Sequence, residues 1–166
     1  RSDCALALLD DAFEGAPPEE IIAAVALRFP GRIALACSFG AEDCALVDLV
    51  ARTPLPVELF TLDTGFLFAE TYALWTRLEE RYGVRIRPVR ADLPAVEAGL
   101  PPPWARDPDA CCAARKVAPL RRALSGLEAW VTGIRRDQTA DPAGAQAIEG
   151  DGRFGVGKGN PLAAGA

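Results

Sequence analysis

The sequence predicts an α/β domain, a parallel sheet with flanking helices. Three observations lead there. Short apolar runs alternate with helical patterns through most of the 166 residues. Three of those runs end in polar or glycine-containing turns, at Ser38-Phe39-Gly40, at Asp63-Thr64-Gly65 and from Gly133 to Arg136. Half of the residues are apolar and the mean hydropathy is +0.10, so there is material for one real core. Residues 1–166 are read as a single domain.

Each element has its own signal. Residues 3–14 have the pattern of a short amphipathic helix. Pro17-Pro18-Glu19-Glu20 opens a second, with proline and acids at its N-terminal end and Ile21, Ile22, Val25 and Leu27 on its apolar side. Phe29-Pro30-Gly31 stops it. The first strand, about 32–37, runs into the first turn, and a helix follows to about Arg52, ended by Pro54 and Pro56. Val57 to Leu62 is the second strand. From Phe68 to Tyr82 the pattern is helical, with Leu74, Trp75 and Leu78 on one face and Gly83 as the C-terminal cap. Val84 to Val89 is a third strand, which Pro88 marks as an edge or a strand end. Leu93 to Pro103 is proline-rich and irregular, and Cys111 to Leu124 reads as a helix broken mildly near Pro119. Trp130 to Gly133 is a fourth strand. From Asp141 onward glycine and alanine dominate and periodicity is lost.

Charge and composition narrow the function. A net charge of −5 and a pI of about 4.8 argue against a nucleic-acid surface or an anionic membrane as the main partner. No apolar run approaches the roughly 18 residues of a membrane span. The first residues do not read as a signal peptide, and with no methionine the N-terminus is expected to be trimmed or incomplete. Five cysteines, two of them adjacent, do not make a secreted disulfide framework, so a reducing cytoplasm is expected. The absence of histidine removes Ser-His, Cys-His and His-metal chemistry within these residues.

In open parallel sheets ligands sit beyond the carboxyl ends of the strands, so three polar strand ends point to a nucleotide or a phosphate-like anion. In the first turn, Ser38 and Gly40 are residue types that let backbone N–H groups close around an anion at a helix start. Glu42 and Asp43 equally suit an ordinary helix start, and on local grounds both readings stand. No G-x-x-x-x-G-K-[ST] pattern supports a P-loop.

Cys111-Cys112 follows Asp107-Pro108-Asp109 at a predicted helix start, with Arg115 and Lys116 one turn later. A helix N-terminus and nearby cations favour thiolate, and thiolates bind soft metals and iron–sulfur clusters. The plainer alternative is two buried cysteines. A cluster needs about four ligands. Cys4, Cys37 and Cys44 are not at ligand spacing.

The motifs, in order, resemble a known family. Cys37 to Asp43, Thr61-Leu62-Asp63-Thr64-Gly65, Cys112 through Arg115-Lys116-Val117 to Leu124, Thr132 to Gln138 and, weakly, Asn160-Pro161-Leu162 are similar to the assimilatory adenylyl-sulfate (APS) and phosphoadenylyl-sulfate (PAPS) reductases. The resemblance covers about residues 30–140 well and implies the adenine nucleotide α-hydrolase-like fold. It assigns substrate binding to Ser38, Phe39, Gly40, Ala41, Glu42, Asp43, Leu62, Asp63, Thr64, Gly65, Lys116, Gly133, Arg135 and Arg136. It assigns Cys111 and Cys112 to a [4Fe-4S] cluster, the mark of the branch that generally prefers APS, completed by a later Cys-x-x-Cys.

The implied reaction is thioredoxin-dependent reduction of APS to sulfite and AMP in sulfate assimilation, through a sulfo-cysteine. Thioredoxin or a similar thiol is then a partner, and a homo-oligomer is compatible. The expected nucleophile and the Cys-x-x-Cys are both absent from this sequence, so the chain is read as truncated at its C-terminus and inactive by itself. Further departures are Thr139-Ala140-Asp141-Pro142 after Gln138 and Ala163-Ala164-Gly165-Ala166 after Leu162. The alternatives are a PAPS reductase, from which the double cysteine would be missing, an adenylyltransferase of the same fold, and a non-catalytic nucleotide-binding module.

Overall fold

A computed structural model describes residues 12–93, 101–133 and 146–163. The helix expected over residues 3–14 lies almost wholly outside them, as do Cys4 and the turn from Ile134 to Gln138 with Arg135 and Arg136. The described elements are α1 (Pro18–Arg28), β1 (Ile33–Ala36), α2 (Ala41–Arg52), β2 (Glu58–Asp63), α3 (Ala69–Tyr82) and β3 (Ile86–Arg90), followed by α4 (Pro103–Arg106) and α5 (Pro108–Cys112). A π-helical turn (Ala113–Val117) leads into α6 (Ala118–Leu124), β4 (Ala129–Val131), β5 (Ile148–Asp151) and β6 (Val156–Gly159).

The strands form one sheet in the order β3-β2-β1-β4-β6-β5. All neighbours pair in parallel except β5 with β6. The chain runs outward from β1 to β3, then returns to the other side of β1 as β4. The order reverses between β1 and β4, and a sheet of this kind opens a crevice at that reversal.

Period-two alternation divides the strands between two cores. Ile33, Leu35, Leu59, Ile86, Ala129 and Val131 face the cluster that holds Ile22, Val25, Leu46, Val47, Trp75 and Leu78. Ala34, Phe60, Val89 and Trp130 face the other cluster, with Ala123 and Leu124. Helices α1, α2 and α3 therefore cover one face and α6 the other. Gly83 caps α3 in the left-handed region at φ 62°, as its sequence position suggests. Pro88 lies on β3 at the sheet edge, where a missing N–H is tolerated.

As expected, the run from Cys111 to Leu124 is helical with a mild break near Pro119: it widens into a π turn just before that residue, where Ala118 N–H reaches back to Ala113 O. Pro119 has no N–H to continue the ordinary ladder. Two expectations are corrected. The helix that carries Cys111 and Cys112 starts before them, at Pro108, because Asp107 caps it by accepting from Ala110 N at 3.0 Å. The glycine-rich end is not without regular structure, since it contributes β5 and β6. Gly150-Asp151-Gly152-Arg153-Phe154-Gly155 has dinucleotide-fingerprint spacing but turns from β5 to β6. It leads into no helix, so it is a hairpin and not a phosphate loop.

Candidate active site

A cleft of about 610 Å³ lies at the carboxyl ends of β1, β2 and β4. The turn after β1 gives it Cys37, Ser38, Phe39, Gly40, Glu42 and Asp43. From β2 and its turn come Thr61, Leu62, Thr64 and Leu67. The end of β4 adds Trp130, Thr132 and Gly133, and Lys116 reaches in from the π turn. Nine of the fourteen residues assigned to substrate binding thus line one cleft: Ser38, Phe39, Gly40, Glu42, Asp43, Leu62, Thr64, Lys116 and Gly133. Ala41, Asp63 and Gly65 belong to the same turns without lining it. Sequence reasoning passed over Cys37, Thr61 and Thr132 as lining residues, although each adjoins a recognised motif residue.

The first turn is organised by a buried carboxylate. Asp43 accepts from Ser38 N at 2.6 Å and from Ser38 Oγ at 2.5 Å. Phe39 between them is held at φ 63°, a conformation that costs a non-glycine residue roughly 1–2 kcal/mol. Its ring packs 5.5 Å from that of Trp75. Gly40 then starts α2 with no side-chain cap. At the end of β4 the backbone of Gly133 lies so close to Asp43 that a Cβ there would collide with its Oδ1. Any larger residue would have to displace that carboxylate, which explains the glycine of Thr132-Gly133.

Asp63 organises the second turn. It is 3 % exposed. Its Oδ1 accepts from Gly65 N at 3.0 Å and Tyr72 OH at 2.8 Å, and its Oδ2 from Arg90 Nε at 2.8 Å. Burial pushes its carboxyl up, but the hydrogen bonds from Tyr72, Arg90 and Gly65 outweigh that and hold it below the ordinary 3.8. Tyr72 is raised in turn, mainly by its bond to Asp63. Gly65, at φ 80°, completes the turn.

The cysteines separate by environment. Cys37 is buried in the cleft wall, and burial pushes its thiol up to about 12. It is a thiol at neutral pH and a poor nucleophile. Cys44 is raised by burial as well. Cys111 and Cys112 line a neighbouring pocket of about 230 Å³ with Phe66, Trp104, Arg115 and Lys116. Thr64 and Lys116 border both cavities. Arg115 bridges them, donating from Nη1 to Thr64 O at 3.2 Å and stacking 4.8 Å above the Phe66 ring. Two thiols flanked by cations suit half of an iron–sulfur ligand set. Among the described residues, no group of three or more Cys, Asp or Glu side chains assembles to complete it.

These features define an α/β protein with a mostly parallel sheet and a cleft at the reversal of strand order. The sequence profile described as "Phosphoadenosine phosphosulfate reductase domain" matches residues 32–164, and the chain belongs to that family. A probable 5'-adenylylsulfate reductase of Oryza sativa subsp. japonica is 45% identical over 131 residues, covering 76% of this chain and 27% of the relative. The adenosine 5'-phosphosulfate reductase of Rhodococcus opacus (strain B4) is 43% identical over 126 residues, covering 74% and 51%. Reductase 1 of Bacillus subtilis (strain 168) is 40% identical, covering 76% and 56%. The chain spans about half the length of these bacterial relatives and about a quarter of the plant protein. In fold it matches the crystal structure of the PAPS reductase from Candida auris in its phosphate complex, with a TM-score of 0.81 at 23% identity over 97% of this chain and 79% of that one. The adenine nucleotide α-hydrolase-like fold is therefore the fold of this chain.

Proposed function

We propose that these residues form the substrate-binding part of an adenylyl-sulfate reductase, which reduces APS to sulfite and AMP. The observation that carries this reading is the single cleft formed by three separate turns at the carboxyl edge of the sheet. The relatives named as APS reductases support the choice of substrate. The turns at Ser38–Asp43 and Leu62–Gly65 and the end of β4 at Gly133 hold the adenylyl part, and Arg135 and Arg136, which follow Gly133 in the sequence, are assigned to the same pocket. Lys116 faces the sulfate end from beside the cysteine pocket.

The reaction is a displacement at sulfur. A thiolate from a cysteine outside this sequence attacks the sulfate sulfur. The S–O bond to the phosphate breaks and AMP leaves with the electron pair. A second thiol, from thioredoxin or a similar dithiol, then attacks the cysteine Sγ of the sulfo-cysteine, and sulfite leaves with the electron pair of the S–S bond. The disulfide that results is the oxidised product, the two electrons having come from the two thiols that form it. Fixed cations stabilise the crowded anionic centre, a role that suits Lys116. Cys37, held as a thiol, does not compete as nucleophile.

Cys111 and Cys112 would hold half of a [4Fe-4S] cluster, which when bound supplies positioning and electrostatic stabilisation beside Lys116. The chemistry suits a reducing compartment such as the cytoplasm, and the four described cysteines are all free. No described helix is long and apolar enough to cross a membrane.

The test is calorimetric titration of the anaerobically prepared full-length protein with AMP, APS and PAPS, followed by a thioredoxin-coupled sulfite assay. Binding of AMP and APS, weaker binding of PAPS and release of sulfite from APS are expected. Equal or better use of PAPS would move the protein to the other branch. Failure to bind any of the three would overturn the nucleotide reading.

A further inference from the structure

The β5–β6 hairpin, which the motifs of the cleft do not include, ends in a buried polar network aimed at one cleft residue. Asn160 is 0 % exposed, and all of its side-chain polar atoms are used. Its Nδ2 donates to Gln146 O at 2.8 Å and to Glu149 Oε1 at 3.2 Å. Both partners are pure acceptors, which fixes the amide orientation. Its Oδ1 must therefore face Thr132, and Thr132 Oγ1 donates to it at 2.8 Å. Lys158 Nζ lies 3.4 Å from Glu149 Oε1 and 5.8 Å from the centre of the Trp130 ring, so the carboxylate is neutralised where it meets the amide. The backbone is tied at the same place, with Thr132 N donating to Gly159 O at 3.0 Å and Asn160 N to Ala147 O at 2.8 Å.

Thr132 lines the cleft, and the next residue is Gly133, whose backbone leaves no room for a Cβ beside Asp43, the acceptor that holds Ser38. A displacement at Thr132 therefore shifts Gly133 relative to its neighbour in the first turn. We propose that Asn160 is a positioning residue for the nucleotide cleft: its hydrogen bond to Thr132 sets the end of β4 against the Ser38–Asp43 turn. The proposal rests on the nucleotide reading of that cleft. Asn160 touches no ligand in this scheme. It acts through Thr132, and an amide is required because one side must accept while the other donates to a carbonyl and a carboxylate.

The full-length protein and its Thr132→Val, Thr132→Ser, Asn160→Leu and Thr132→Val/Asn160→Leu variants are titrated with AMP, with thermal unfolding measured on each. Thr132→Val keeps the shape of the side chain and removes the donor. We expect it to weaken AMP binding about 5- to 10-fold, the loss of one buried hydrogen bond of about 1 kcal/mol. Thr132→Ser restores binding to within about twofold of the wild type, on the same scale. The double variant binds no more weakly than the weaker single one, because Asn160 acts on the cleft through the Thr132 hydrogen bond, which either substitution removes. Should Asn160→Leu fail to fold, the Val/Ser pair at Thr132 decides by itself. Wild-type affinity in Thr132→Val, or additive losses in the double variant, overturns the positioning role and leaves the nucleotide reading intact. Failure of the wild type to bind AMP overturns both.

Discussion

In the first turn Asp43 faces into the cleft wall and bonds its own loop through Ser38, and the backbone of Gly133 beside it leaves no room for a Cβ. In the second turn Asp63 faces outward to the sheet edge and bonds Gly65, Tyr72 and Arg90. Both are buried carboxylates, Asp43 in the first turn of α2 and Asp63 at the end of β2. Asp63 is compensated by a cation and a phenol from two other elements, and Arg90 is itself fastened, its carbonyl accepting from Arg122 of α6. Asp43 relies on one serine and keeps Phe39 in a left-handed conformation. The second turn is thus a rigid anchor. The first concentrates strain and close approach on the side where a ligand would lie, as functional sites commonly do.

The largest expected effect follows from removing the anchor. Asp63→Ala strands the Tyr72 hydroxyl and the Gly65 N–H, and should lower unfolding free energy by about 2–3 kcal/mol in urea titration. The same carboxylate sets a pH dependence. Its folded pKa is depressed, so its contribution is fully present above the ordinary value of 3.8 and is lost as pH falls through the lower folded value. Asp63→Asn should flatten that acid limb, and an unchanged limb would show that other carboxylates govern it.

Gly133→Ala comes next, at about 1–3 kcal/mol, because the added Cβ must push Asp43 aside. Because Gly133 and Asp43 both line the cleft, AMP affinity is expected to fall along with stability. A loss of stability alone would separate Gly133 from the ligand surface. The smallest effect is the sharpest probe of the first turn. Phe39→Gly and Phe39→Ala both lose the ring contact with Trp75, but only glycine relieves the positive φ. Phe39→Gly should therefore be the more stable of the two by about 1 kcal/mol, against the usual order of these residues. The opposite order in chemical denaturation would show that the strain is absent.

Much of the cleft was legible because its pieces are local. Ser38–Gly40, Leu62 and Thr64, and Gly133 each sit immediately after an apolar run, and a parallel sheet necessarily gathers such strand ends on one edge. Asp63 and Gly65 were legible as members of the turn but not as its internal supports, since Tyr72 and Arg90 reach them from elements nine and twenty-seven residues away. The hairpin was invisible for another reason. Val156-Gly157-Lys158-Gly159 has no apolar alternation, yet it is mostly buried between β4 and β5 because glycine admits close approach, Gly159 lying against Val25.

By itself, the sequence determined the alternation of strand and helix, the turn chemistry at three strand ends, the double cysteine with its cations and the family to which the motifs belong, all of which are patterns over a few neighbouring residues. Only the tertiary structure decided that Cys37 is an inert thiol, that Asp43 and Asp63 brace their turns in different ways, that a π turn brings Lys116 to both cavities and that Asn160 supports Thr132. Each of these depends on burial and on partners distant in the chain, and neither desolvation nor a long-range hydrogen bond leaves a local signature in a sequence.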